Sequence, residues 1–397
     1  MKKINRIITR KNPNLECGFF AALLAYLDRA RVNLGITTGN LIWEFISTAS
    51  GEIETDEQTI CFNVGGGQFD QHGKKENRSL CEMCSLDFVR GQYDFLQRRP
   101  WLREVFRLVQ NNDVCGERIS KHPFNLREIM NGLAYVKDNE PMLILDWLTL
   151  AFCGVFENLK DGQDIKKVFD PQILVKGVEK YEPSQKAWFE ELLQLGIGVI
   201  KKHNAWAEKA ITVAEEKNYF EEVFVPSVGK TVKVISVFCD SIKTGPVARS
   251  HGYHIVIQYN SDGHCQIHGG YIKSDGIKKW LDLSCLAQDL RFSEARFQGK
   301  KILTNQNWQA SGMILFADET FIPWYLAEYR TSVYNGTLSS KDVIPTRIRP
   351  NKMFDIVVSS LPNCEVMIQE EDSPHRHKSE QPPAPQITDQ IRDIAWS

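Results

Sequence analysis

Residues 4–29 read INRIITRKNPNLECGFFAALLAYLDR, and the order of elements in this stretch sets the fold expected of the chain. Ile4 to Thr9 is a short apolar-rich strand, and Arg10-Lys11-Asn12-Pro13-Asn14 is the polar loop that leaves it. From about Cys17 to Arg29 the apolar residues Phe19, Phe20, Leu23, Leu24 and Leu27 recur at near-helical spacing. Thr59 to Val64 is a second compact strand, and it runs into Gly65-Gly66-Gly67. Strand, loop, helix, strand is the order of an α/β sheet whose functional loops lie at strand ends.

Working outward, residues 79 to 218 carry a mainly helical signal. Met142 to Phe156 is apolar apart from Asp146 and, at 15 residues, is shorter than the roughly 20 that a membrane span needs. It is therefore expected to be a buried helix. Ser184, after Pro183, is placed to cap a long helix with Trp188, Leu192, Leu195, Val199 and Trp206 near one face, which Gly196 and Gly198 weaken. From Tyr219 the pattern turns to strands at Thr231 to Phe238, Tyr253 to Tyr259 and His264 to His268, with Asn260-Ser261-Asp262-Gly263 as a hairpin turn. Residues 369–386, QEEDSPHRHKSEQPPAPQ, are polar and Pro-rich and are expected to be disordered. The expected division is an α/β domain with a helical extension (1–218), a smaller α+β domain (219–366) and a tail (367–397).

Composition bounds the function. The chain has 397 residues, 42% hydrophobic and 25% charged, which is normal for globular proteins. A net charge of −2 gives no global attraction to nucleic acid or anionic lipid, so phosphate binding has to come from a local cluster. No apolar stretch follows the basic MKKINRIITR start, so no secretory signal is expected. Ten cysteines without framework spacing suit buried thiols in a reducing, cytoplasmic setting.

Three stretches carry the residue types of two-metal phosphoryl chemistry. They are Thr9 to Glu16; the strand end Phe62-Asn63-Val64-Gly65-Gly66 with Phe69-Asp70-Gln71-His72-Gly73; and Asn111-Asn112-Asp113-Val114-Cys115-Gly116. Loops after strands can aim carboxylates, imidazoles and backbone N–H groups at one point. On these residues, about the first 120 of the chain resemble the DHH phosphoesterase superfamily. That superfamily includes RecJ-type nucleases, oligonucleotide-cleaving phosphodiesterases and family II inorganic pyrophosphatases. FNVGGGQFDQH is similar to the motif of the DHH-type exonuclease family named after a melanocyte proliferating gene, a VDVGG-like strand end followed by a YDHH-like triplet.

The resemblance implies a hydrolase that binds two Mn²⁺ ions, or Mg²⁺, and acts on oligonucleotides. It assigns Glu16, Asn63, Asp70, His72 and Asp113 to the metals, with Asp70 and His72 catalytic. The sequence departs from the family at the positions that matter. Arg10 stands where the family has its first His, Asn14 and Glu16 replace two Asp, Asn63 replaces the bridging Asp, and Gln71 replaces the first His of the triplet. A guanidinium about 4 Å from a divalent ion would repel it by roughly 8 kcal/mol at an effective dielectric near 20. The site is therefore expected to be degenerate: two metals at once are not expected, and Mn²⁺ or Mg²⁺ is expected only if the protein is active. Arg10 and Lys11, with Asn14 and the backbone of Gly65, Gly66 and Gly67, would then hold a phosphate instead. Gly269-Gly270 is similar to the glycine-rich motif of the DHH-associated substrate domain, which implies a second approach to phosphate.

Weaker signals remain. Cys81 and Cys84 form one C-x-x-C, two ligands short of a zinc site. His251, His254, His264 and His268 cluster along the hairpin, where solvated side chains are the simpler reading. Three functions compete: a protein that binds a nucleotide or short single-stranded nucleic acid in a cleft between domains without rapid hydrolysis; a working Mn²⁺-dependent phosphodiesterase; and a non-catalytic scaffold that docks a protein partner through Ile391, Ile394 and Trp396. No membrane partner is expected.

Overall fold

A computed structural model describes residues 5–29, 41–46, 58–62, 99–115, 118–274, 277–301, 307–315, 321–327, 330–336 and 343–368. The chain is mixed α/β and divides into two compact units, residues 1–202 and 203–397.

In the first unit, β1 (Arg6–Arg10) is the middle strand of a parallel sheet, flanked by β2 (Ile42–Ile46) and β3 (Thr59–Phe62). Ile7, Ile8 and Thr9 are all buried, as a central parallel strand covered on both faces requires. Ile7 joins Phe20, Leu24, Ile60 and Phe62 on one face, and Ile8 joins Cys61 on the other. The helix after β1, α1 (Leu15–Arg29), begins two residues before its expected start. It stacks Phe20 on Phe62 at 4.3 Å between ring centroids.

Helices α2 (Pro100–Cys115), α3 (Leu126–Val136), α4 (Pro141–Lys160), α5 (Pro171–Tyr181) and α6 (Lys186–Glu216) follow. Of these, α4 is the expected buried helix extended to 20 residues, long and apolar enough to cross a membrane. Trp147, Leu148, Ala151, Phe152, Val155 and Phe156 are nonetheless buried in the first unit's core against α1 and α5. Trp147 stacks on Phe189 and donates its Nε1–H to the Phe189 carbonyl at 3.3 Å.

The 31-residue α6 starts after a 3₁₀ turn at Pro183–Gln185, and the Ser184 hydroxyl donates to Glu182 rather than capping the helix. Gly196 does not interrupt α6. A β-carbon there would lie 2.7 Å from Ile129 Cγ2 and 2.8 Å from the Ile129 carbonyl oxygen, so glycine is what lets α3 and α6 touch.

In the second unit, a seven-stranded mixed sheet has the order β10-β11-β12-β7-β6-β5-β4. Its strands are β4 (Phe220–Val225), β5 (Lys230–Phe238), β6 (Ile255–Tyr259), β7 (Cys265–Gly269), β10 (Gly312–Leu315), β11 (Phe321–Leu326) and β12 (Ser332–Asn335). The short helix α7 (Thr244–Ser250) lies between the parallel pair β5 and β6. β6 and β7 form the expected hairpin, with Gly263 at φ +84° and the Asn260 side chain accepting from the His264 N–H. A separate antiparallel sheet joins β8 (Tyr271–Ser274), β9 (Ile277–Asp282) and β13 (Glu365–Ile368). Helices α8 (Ser284–Phe297) and α9 (Pro350–Ser360) complete the unit.

The two faces of the larger sheet are buried differently. Ile255, Ile257, Ile267 and Trp324 pack with Leu286, Leu290 and Met353. Ile235, Val237 and Val256 pack with Ala207 and Ile211 of α6 and with Val247 and Ala248 of α7. Only Gly270 separates the end of β7 from the start of β8, so the chain changes sheets at this glycine.

Candidate functional site

In the first unit, the candidate residues lie where β1 gives way to α1. β2 and β3 lie parallel to β1 on opposite sides of it, so the strand order switches sides about β1, and in open α/β sheets ligands favour the carboxyl ends of strands at such a point. Arg10 ends β1. Its Nε is buried and has no hydrogen-bond partner among the described residues. Lys11 is exposed, and its backbone N–H is already donated to the Ile46 carbonyl at 2.7 Å.

Asn14 has a local role. Its Oδ1 accepts the Cys17 N–H at 3.1 Å, which makes it the N-cap of α1. Glu16 lies in the first turn of α1 and is buried, where the helix dipole favours its charge. Cys17 sits beside it, with Sγ 3.4 Å from Thr9 Oγ1. Burial pushes its thiol pKa up, while the Thr9 hydrogen bond and the positive charge of Arg10 pull the other way.

Most of the expected metal set lies outside the described residues: Asn63, Asp70 and His72, together with Gly65, Gly66 and Gly67. Cys81 and Cys84 lie outside them too. Asp113 is in the last turn of α2 rather than in a loop, and its side chain is not among those described. Of the metal candidates only Glu16 has a described side chain, and among the described residues no three His, Cys, Asp or Glu gather to hold an ion.

The second unit places a cation beside an imidazole. The four hairpin histidines differ in environment. His264 is buried, with Nε2 2.7 Å from the Val343 carbonyl oxygen. His251 lies at the surface, with Nε2 2.7 Å from Glu208 and Nδ1 3.7 Å from Glu215. His268 pairs with Val256 and shares its face of the sheet, while His254 immediately precedes β6.

Arg249, from the last turn of α7, reaches the same face. A β-carbon on Gly270 would lie 3.0 Å from Arg249 Cδ, and one on Gly245 would lie 3.4 Å from Arg249 Nη1 and 3.7 Å from the His268 ring. Arg249 keeps solvent contact, yet desolvation lowers its pKa, and Tyr334 nearby partly offsets this. It forms no ion pair among the described residues.

Burial first, and the Arg249 charge second, push the His268 pKa down to about 4, so its ring is neutral at pH 7. Its Nε2 lies 3.2 Å from Gln266 Oε1, and its ring meets the Tyr334 ring edge-on at 5.5 Å. His254 is likewise shifted down, by desolvation and then by Lys233. Its Nδ1 accepts the Lys233 backbone N–H at 3.1 Å, which leaves the proton of the neutral ring on Nε2 as a donor.

The Gly269 and Gly270 N–H groups donate to the carbonyls of Thr331 and His254 at 2.8 and 2.6 Å. Both amides, expected to approach a phosphate, are thus engaged within the fold. The contribution of Gly270 is space, because the missing β-carbon gives room to the Arg249 stem. Sequence reasoning passed over Arg249; the available signal was an arginine two positions before His251 and five before His254, at the entry to a buried strand.

No protein-family model matches the chain. No curated protein matches it either.

Proposed function

We propose that this chain binds phosphate-bearing ligands, nucleotides or short single-stranded nucleic acid, as a DHH-like phosphoesterase relative with a degenerate metal site. The observation that carries this reading is Arg249. It is an exposed but partly desolvated guanidinium without a carboxylate partner among the described residues, set beside Gly270 and the neutral His268 ring. A partly desolvated cation with no counter-charge among the described residues gains from an anionic ligand, and a guanidinium fork matches phosphate oxygens. Arg10 supports the same reading in the first unit, where its buried Nε lacks a partner at the carboxyl end of β1.

The test is titration of purified protein with inorganic pyrophosphate and with a labelled short oligonucleotide, with R249A and R10A as variants. Each lost charge-assisted contact costs about 1.5–3 kcal/mol, so R249A is expected to weaken binding roughly tenfold or more. Unchanged affinity in both variants would defeat the proposal. Stoichiometric Mn²⁺ in the purified protein, with cleavage of labelled RNA or DNA, would instead establish a working phosphoesterase.

A further inference from the structure

Cys285 and Cys364 are 79 positions apart in sequence and their Sγ atoms are 2.9 Å apart, both in the second unit. Cys285 is the second residue of α8, whose first turn is fixed by Asp282 accepting from the Ser284 N–H at 2.8 Å. Cys364 follows a 3₁₀ turn at Leu361–Asn363 and leads directly into β13. Its carbonyl accepts the Ser227 hydroxyl at 2.6 Å, and its Sγ lies 3.7 Å from the Ser360 carbonyl oxygen. Two backbone elements thus hold the sulfurs facing each other. A disulfide spans about 2.05 Å, so bonding needs the sulfurs to close by less than about 1 Å.

The two thiols are not equivalent. Cys364 is 1% exposed, whereas Cys285 reaches solvent. The Cys364 hydrogen bond lowers the Cys285 pKa against desolvation, and the Leu286 backbone N–H adds to the effect. Cys364 is pushed up, first by that same pairing and then by burial. The accessible sulfur is therefore the one that more readily becomes the thiolate nucleophile.

We propose that Cys285 and Cys364 are a redox-active dithiol, closed to a disulfide by a low-molecular-weight disulfide, with Cys285 attacking and Cys364 resolving. The Cys285 thiolate attacks one sulfur of the oxidant R–S–S–R, forming Cys285–S–S–R and releasing RS⁻, which takes up a proton. Cys364 then gives its proton to solvent and attacks Cys285 Sγ, releasing the second thiol. Two electrons pass from the protein to the oxidant, leaving one intramolecular disulfide and two RSH. Capping Cys285 also removes the thiolate that disfavours ionisation of Cys364, so the first step promotes the second.

The experiment treats the full chain with oxidised glutathione, quenches by alkylation and maps peptides without reduction. The expected product links the Cys285 and Cys364 peptides, with a mass lower by two hydrogens. In C364S, Cys285 is expected to retain one glutathione per chain, because nothing resolves it. In C285S, Cys364 is expected to stay largely reduced, reacting at least roughly tenfold more slowly than Cys285 does in C364S. Thermal unfolding of both reduced variants checks that they fold, and the wild-type map decides the matter if they do not. Wild-type protein in which both residues remain alkylatable, or are linked to other cysteines, would overturn the proposal.

Discussion

The Arg249 side chain lies across Gly270, with its Cδ 3.0 Å from the point a β-carbon on that glycine would occupy. The His254 carbonyl oxygen is 3.2 Å from the same point and accepts the Gly270 N–H. A methyl group at 270 would meet a flexible stem on one side and a hydrogen-bonded backbone on the other. The stem is what has to move.

G270A is therefore expected to shift the Arg249 guanidinium at modest cost to the fold, about 1 kcal/mol by analogy with small overpacking changes. Pyrophosphate affinity should fall in this variant toward that of R249A. Calorimetric titration alongside thermal unfolding separates the two effects. Full affinity in a stably folded G270A would show that the position of Arg249 over the glycine is immaterial.

His268 ties stability to pH. Its folded pKa of about 4 lies below the ordinary 6.5, so the unfolded chain takes up this proton first as pH falls. The unfolded state gains stability through the window from about 6.5 down to about 4, and the group has no such effect above 6.5. The cost to the fold across that window is about 2–3 kcal/mol. H268N removes the titration, so its denaturation midpoint should vary less with pH between those limits. Parallel pH curves for variant and wild type would contradict the assignment.

Two glycines in α6, two positions apart, make opposite predictions. G196A forces a β-carbon against Ile129 and should destabilise by about 1–3 kcal/mol, the range for overpacking. Gly198 is exposed and a β-carbon there meets nothing within 4 Å, so G198A should stabilise by up to about 1 kcal/mol through helix propensity. Urea denaturation of both measures the signs directly.

Asn14 separates a cap from a ligand. N14A should cost about 1 kcal/mol of stability, the usual price of a lost N-cap. N14D should retain it, since aspartate accepts the same Cys17 N–H and its charge suits the helix N-terminus. A loss of stability in N14D as large as that in N14A would rule out the capping role.

How much of this was legible beforehand varies with how local the causes are. The opening strand, loop and helix and the hairpin around Gly263 were readable because alternation, helical spacing and turn residues lie within a few positions of one another. Gly196 was read as a weakness in α6 because its reason is Ile129, a residue far off in sequence that no helical periodicity reveals. Asn14 was read as a phosphate contact because the sequence shows an amide in a loop, but not that its Oδ1 caps α1 at Cys17. Arg249 was overlooked because a single arginine at the surface end of a short helix is ordinary until its neighbours are known. The Asp70 and His72 stretch, on which the metal reading leaned, lies outside the described residues.

The long α6 begins among the residues of one unit and ends among those of the other, on a single ladder of backbone hydrogen bonds. Severing the chain between Lys202 and His203 would cut through that ladder and strand the turns carrying Ala207 and Ile211 without their amino-terminal half. Fragments intended to isolate either half of this protein should therefore be cut elsewhere, with the whole of α6 retained on one piece.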